Sequence, residues 1–188
     1  MKIGKTLYVS DRASWRAWLA RYHATEKEIW LVYPKKHTGS KRVAYNDAVE
    51  EALCFGWIDS TVKKIDDASF AQRFSPRRKG SVLSQANKER IGKLVAQKKM
   101  TPAGLAAVSH AFNPASREKF VVARDVLAAV KADKAAWKNF KRFPARYKRV
   151  RIGYIEGQRR HSSEAFKKSL ANFIKKTAKN KKFGFVRV

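Results

Sequence analysis

The apolar pattern of this chain changes period once, and that change decides what it can fold into. Up to about residue 114, helical stripes alternate with short runs rich in β-branched and aromatic residues. Beyond about residue 119 only the helical period remains. Trp15, Trp18, Leu19 and Tyr22 fall at i, i+3, i+4 and i+7, one buried stripe behind a cap at Ser10 or Asp11. Glu28 to Tyr33 is strand-like and stops at Pro34. A second helix starts at Asn46 or Asp47, passes through Ala48, Leu53 and Phe55, and ends at Gly56. Thr61 to Ile65 and Phe70 to Phe74 predict two short strands around a turn at Asp66-Asp67.

Ser84 opens a third helix bearing Ile91, Leu94 and Val95. Thr101-Pro102 opens a fourth, with Thr as cap and Pro at the first helical position, that runs to near Asn113. Periodicity lapses over Asn113 to Lys119, the candidate linker. Three helices are then expected at Val126 to Phe140, Tyr147 to Ile155 and Ser163 to Ala178. The expectation is an α+β fold: a small mixed domain with short antiparallel strands over residues 1–114, then a basic all-helical unit over 115–188.

Charge divides along the same line. Residues 1–70 hold 12 Lys and Arg against 9 Asp and Glu, whereas residues 71–188 hold 31 against 6. Residues 117–188 alone hold 22 basic and 5 acidic residues, net +17. Such a surface attracts polyanions. A disordered basic tail is excluded, because 5 Trp, 6 Tyr and 11 Phe supply ample core material. One cysteine, Cys54, excludes an internal disulfide. With no signal-like segment and no run approaching the roughly 18 apolar residues of a membrane span, a cytoplasmic chain without a transmembrane segment is expected.

Two clusters carry candidate chemistry. Arg73, Ser75, Arg77, Arg78, Lys79, Ser81 and Ser84 lead from a strand through a turn to a helix start. Cations, hydroxyls and helix N–H groups together suit a phosphate. The bland alternative is a solvated basic loop. Asp59 in Trp57-Ile58-Asp59-Ser60 would orient Arg73 or Arg77, or act as a base beside Ser60; alternatively it begins a turn. Cys54, mid-helix between Leu53 and Phe55, reads as a buried small hydrophobe.

In the tail, Arg146, Lys148, Arg149 and Arg151 are expected mostly opposite the apolar face of Tyr147, Val150 and Tyr154. Arg159 and Arg160 precede the last helix. These faces would track a nucleic-acid backbone or rest on an anionic membrane surface, with Trp137, Tyr147 or Tyr154 stacking on bases if exposed. His23, His37, His110 and His161 lie far apart without metal-ligand spacing. No phosphate-binding glycine motif occurs, so neither a metal nor a cofactor is expected.

The run Tyr45-Asn46-Asp47-Ala48-Val49-Glu50-Glu51-Ala52-Leu53-Cys54-Phe55-Gly56-Trp57-Ile58-Asp59-Ser60 resembles the signature of the bacteriocin-protection, YdeI/OmpD-associated family. Arg73 to Ser81, Met100 to Leu105, Trp137 to Phe140 and Tyr147 to Ile155 extend the likeness over nearly the whole chain. It departs at Leu83, where that family usually has Trp, and at Lys98, where it has Gly. The resemblance implies a small α+β protein with a helical tail and a part in envelope stress or cationic-peptide resistance. The residues themselves point to a non-catalytic, low-specificity polyanion or nucleic-acid binder. Two alternatives stand beside it: an enzyme or binder acting on a phosphorylated small molecule at Asp59 and Arg73 to Lys79, and an envelope factor held on anionic lipid.

Overall fold

The structure, a computed structural model, describes residues 2–113 and 120–184 and has an α+β fold. It divides into two compact units: Met1–Val82 with Arg90–Pro114, and Leu83–Glu89 with Ala115–Val188. Most of the segment expected as a linker, Asn113 to Lys119, lies outside the described residues. Among the described residues no helix is long and apolar enough to cross a membrane.

The first unit is built on a four-stranded mixed sheet in the order β1-β2-β4-β3. The strands are β1 (Thr6–Tyr8), β2 (Ile29–Pro34), β3 (Trp57–Lys64) and β4 (Ser69–Pro76). β4 runs antiparallel to both β2 and β3, and β1 adds a parallel pair with β2. β1 is thus an edge strand, and its three residues are too few to announce a strand in the sequence. β3 begins four residues earlier than expected, at Trp57, which puts Asp59 in a strand rather than at a turn. Between Asp59 and Val62 the register slips by one residue against β4, a β-bulge that lets the Gln72 side chain donate to the Ser60 carbonyl at 3.0 Å. The turn at Asp66 forms as expected: its carboxylate accepts from the Ala68 and Ser69 backbone N–H groups.

Helix α1 (Arg12–Tyr22) is capped by Asp11, which accepts from Ser14 N at 2.9 Å. Its stripe buries Trp15 and Leu19 completely. Trp15 stacks on Trp18, whose ring meets Trp57 edge-on, and Trp15 also packs on Phe74 of β4. Trp15, Trp30 and Trp57 are each at most 1% exposed. A buried indole removes about 200 Å² from water, worth about 5 kcal/mol by area. The Trp15 and Trp57 ring N–H groups are satisfied by the Ala48 and His23 carbonyls, both at 3.0 Å.

Helix α2 (Tyr45–Cys54) ends where Gly56 takes φ +76°, and a side chain there would meet Ala107 Cβ at 2.9 Å. α3 spans Gln85–Ala96 and α4 spans Pro102–Val108. Thr101 caps α4 and donates its hydroxyl to the Cys54 carbonyl at 2.7 Å. α4 approaches so closely that a Cβ on Gly104 would lie 2.1 Å from that carbonyl oxygen. α4 stops at Val108, five residues short of the expected end, and the chain turns through Ser109 to Ala111.

The second unit is helical beyond residue 120: α5 (Arg124–Ala132), α6 (Lys134–Arg142), α7 (Ala145–Arg159) and α8 (Ser163–Ala178). The single helix expected over Val126 to Phe140 is two, because Asp133 is extended and caps α6 through Ala136 N at 2.8 Å. The core joins Val126, Val130, Phe140, Phe143, Tyr147, Ile152, Ile155, Phe166 and Phe173. Asn139 closes the end of α8 by donating to the Thr177 and Ala178 carbonyls at 3.0 and 3.1 Å.

Candidate functional site

The residues expected to form one phosphate site are placed in three settings. Arg73 stands opposite Trp30 of β2, beside Glu28. Its Nε donates to Glu28 Oε2 at 2.7 Å, Nη2 lies 2.6 Å from the same oxygen, and Nη1 reaches Ser60 Oγ at 3.4 Å. The Trp30 indole donates to the other Glu28 oxygen at 3.1 Å. The hydrogen bond from Arg73 holds the Glu28 carboxyl below its ordinary pKa. The charge of Arg73 is thus answered inside the sheet, and Ser75, half-buried opposite Ile58, follows it along β4.

Asp59 orients neither Arg73 nor Arg77. Its Oδ2 accepts the Tyr45 hydroxyl at 2.7 Å. The Tyr33 hydroxyl is buried without a hydrogen-bond partner. Burial is the first cause that pushes both tyrosine pKa values up, followed by Tyr45 and then Asp59 for Tyr33 and by Asp59 for Tyr45.

The loop after β4 forms the second setting. Arg77 N donates to the Gly56 carbonyl at 2.8 Å, and the Arg77 guanidinium turns back so that Nη2 donates to the Val82 and Ser81 carbonyls at 2.6 and 3.3 Å. Ser81 N closes a turn onto the Arg78 carbonyl at 3.2 Å, with Gly80 at φ +75° where a type II turn demands it. His110 Nε2 donates to the Ser81 carbonyl at 2.9 Å. Arg78 and Lys79 are exposed at the tip and meet no carboxylate among the described residues. Ser84 belongs to the second unit, where its Oγ accepts from Asn87 N at the start of α3.

The helices of the second unit carry the largest group of free charge. Among residues 120–184, fourteen of nineteen Lys and Arg side chains belong to exposed residues without an ion pair. Lys168, Lys175 and Lys179 fall within about 40° of one another around α8, a stripe about 16 Å long. Lys131 and Lys141 flank the half-buried Trp137 ring at 5.3 and 5.7 Å. The six cations expected to track a backbone divide differently. Arg160 is exposed, and Arg146 and Lys148 are half-exposed. Arg149 is bonded to Glu89 at 2.5 and 2.9 Å, and Arg159 to Asp125 and Glu156 at 2.5 and 2.6 Å. Arg151, expected on the outer face, is 9% exposed and lies over the Phe183 ring at 4.0 Å. Of the three aromatics offered for stacking, Tyr147 is core and its hydroxyl accepts from Phe183 N, whereas Tyr154 is 51% exposed.

A family model described as "Domain of unknown function (DUF8412)" matches residues 7–107, which is 101 of the 188 residues. The chain belongs to this family. The DUF8412 region takes in the sheet, α1 to α3 and nearly all of α4, and so the Arg73 pair, the Asp59–Tyr45 bond and the whole Arg77 loop. Helices α5 to α8 lie beyond it. No curated protein and no solved structure matches the chain.

Sequence reading missed Glu28, Tyr45 and His110 as partners of the candidate residues. Each meets its partner across 14 to 45 residues of chain. Only the strand register and the α4 position bring them together, and no local spacing encodes either.

Proposed function

We propose that the helical unit binds polyanions, nucleic acid foremost, without catalysis and with low sequence specificity. The observation that carries this reading is the outward set of unpaired cations in residues 120–184, fourteen exposed against four acidic residues, with eight of the fourteen on α6 and α8. A surface built only for solubility mixes its signs. Backbone tracking needs charge without base-edge readers, and an exposed Tyr154 would offer a stacking face. The kinship proposed with the YdeI/OmpD-associated family rests chiefly on Tyr45 to Ser60, reaches the helical unit at Trp137 to Phe140 and Tyr147 to Ile155, and adds no ligand to it.

Fluorescence anisotropy with labelled single-stranded RNA, duplex DNA and anionic vesicles, at several salt concentrations, tests the proposal. Engagement of six to ten phosphates gives a log–log salt slope of roughly −5 to −9 on duplex DNA. A Lys168→Ala/Lys175→Ala/Lys179→Ala variant should flatten that slope by roughly 2 to 3. Absence of binding at near-physiological salt refutes the reading, and vesicle binding alone reassigns the surface to lipid.

A further inference from the structure

Two guanidinium groups are buried enough for desolvation to lower their pKa, yet meet no carboxylate among the described residues: Arg77 in the first unit and Arg151 in the second. A desolvated cation without a counter-charge needs some other source of electron density. Arg151 has one, since it packs over the Phe183 ring at 4.0 Å and the Tyr154 ring at 5.0 Å. Arg77 has none. Its only acceptors are two neutral carbonyls, both met through Nη2. Its Nε and the Ser81 hydroxyl are both shut off from solvent without a hydrogen-bond partner. Buried polar atoms in folded proteins are usually paired, so two orphans in one five-residue loop call for an explanation.

The charged side chains of the loop all have one sign. Arg78 and Lys79 occupy its tip, and His110 donates to it. Every unsatisfied group here except the hydroxyl is a donor only. The geometry points to an oxyanion site in the Arg77–Ser81 loop that takes a phosphate dianion, as inorganic phosphate or as the terminal group of a phosphorylated small molecule. Arg77 and the Ser81 hydroxyl meet the oxygens, and Arg78 and Lys79 close over the exposed side. Arg77 Nε and the Ser81 hydroxyl are closed to solvent, so Arg78 and Lys79 at the exposed tip meet the anion first and the loop opens to bring those two donors onto its oxygens. This site lies wholly in the first unit and stands or falls independently of polyanion binding by α6 and α8.

The test is a titration of ¹⁵N-labelled full-length chain with sodium phosphate at fixed ionic strength, with chloride as the control. The Arg77 Nε–H and His110 ring resonances are followed. Both are expected to shift saturably with a midpoint of about 1 mM. Glycerol phosphate in a parallel titration separates the sources: a tighter midpoint than phosphate marks a phosphorylated small molecule, and an equal or weaker one marks the free ion. Arg77→Lys keeps the charge and loses the fork, and should weaken binding by about tenfold. Because Arg77 also ties the loop, Arg78→Ala/Lys79→Ala provides a second variant that leaves those carbonyl bonds intact, with an expected loss of about fivefold. Lys93→Ala/Lys99→Ala removes as much charge elsewhere in the first unit and should leave the midpoint unchanged. The proposal is overturned if neither anion gives a saturable shift beyond chloride. It is also overturned if both loop variants keep the wild-type midpoint, or if the Lys93/Lys99 variant loses as much affinity as they do.

Discussion

The two units differ less in how many charges they hold than in where they put them. The first has 20 Lys and Arg and 9 Asp and Glu, net +11; the second has 23 and 6, net +17. In the first, Glu50 and Glu51 are 5% and 2% exposed, and Arg12 and Arg16 of α1 reach across to them and to Asp47. In the second, the ion pairs number few and the remaining cations face solvent. Part of the charge in the first unit joins two helices. Charge in the second is largely free to meet a partner. A count of cations read from sequence therefore overstates the free charge of the first unit more than that of the second.

The largest effect that separates the units is expected at Glu51. Its oxygens bind Arg12 Nε at 2.5 Å and Arg16 Nη1 at 2.6 Å. Glu51→Ala leaves two cations at a helix interface with one fewer partner and a cavity beneath them. Denaturant unfolding should show a loss of about 3 kcal/mol. The Lys168→Ala/Lys175→Ala/Lys179→Ala variant should stay within about 0.5 kcal/mol of wild type while losing polyanion affinity. If Glu51→Ala is equally neutral, the contrast between structural and free charge collapses.

A smaller effect concerns the half-buried Glu89–Arg149 pair of the second unit. Burial raises the Glu89 pKa, but the bonds from Arg149 outweigh it, and the net direction is downward. A carboxyl with a depressed folded-state pKa contributes stability that is fully present above its unfolded value, about 4.3, and is lost as pH falls through the folded one. Denaturant titrations between pH 7 and pH 3 should show this loss, about 1 kcal/mol, in wild type. Glu89→Gln should be less stable at pH 7 and should lack that part of the acid-side decline. A decline of equal steepness in both chains would assign the acid sensitivity to other groups.

The parts of the fold legible in the sequence are those fixed by local chemistry. Asp11 and Thr101 cap their helices, Pro102 starts α4, and the stripe from Trp15 to Leu19 is core, all from residues within one or two turns of each other. What stayed hidden depended on register. Arg73 looked free until β2 placed Glu28 beside it. Arg151 fell on the polar side of a helical projection, yet lies against Phe183, 32 residues away. Gly104, unremarkable in a helix, lacks the side chain that would collide with the Cys54 carbonyl at that crossing. Cys54 itself is fully buried, with its thiol pushed up to about 11, first by burial.

The smallest effect compares one motif present in both units. α3 ends with Lys98 N bonded to the Val95 carbonyl and Lys99 N to the Leu94 carbonyl. α8 ends with Asn180 N on Thr177 and Lys181 N on Lys176. Each is a Schellman closure that needs a left-handed residue, and Lys98 and Asn180 take φ values of +55° and +52°. Asparagine tolerates that region through local hydrogen bonding, whereas lysine pays the full steric cost of its Cβ. Lys98→Gly should therefore raise stability by about 0.5–1 kcal/mol, and Asn180→Gly by only a few tenths. Lys98→Ala removes the same charge but keeps the Cβ, and should gain nothing. If Lys98→Ala stabilises as much as Lys98→Gly, relief of cationic repulsion rather than backbone strain explains the gain, and even this first-unit lysine belongs with the free charge of the second unit.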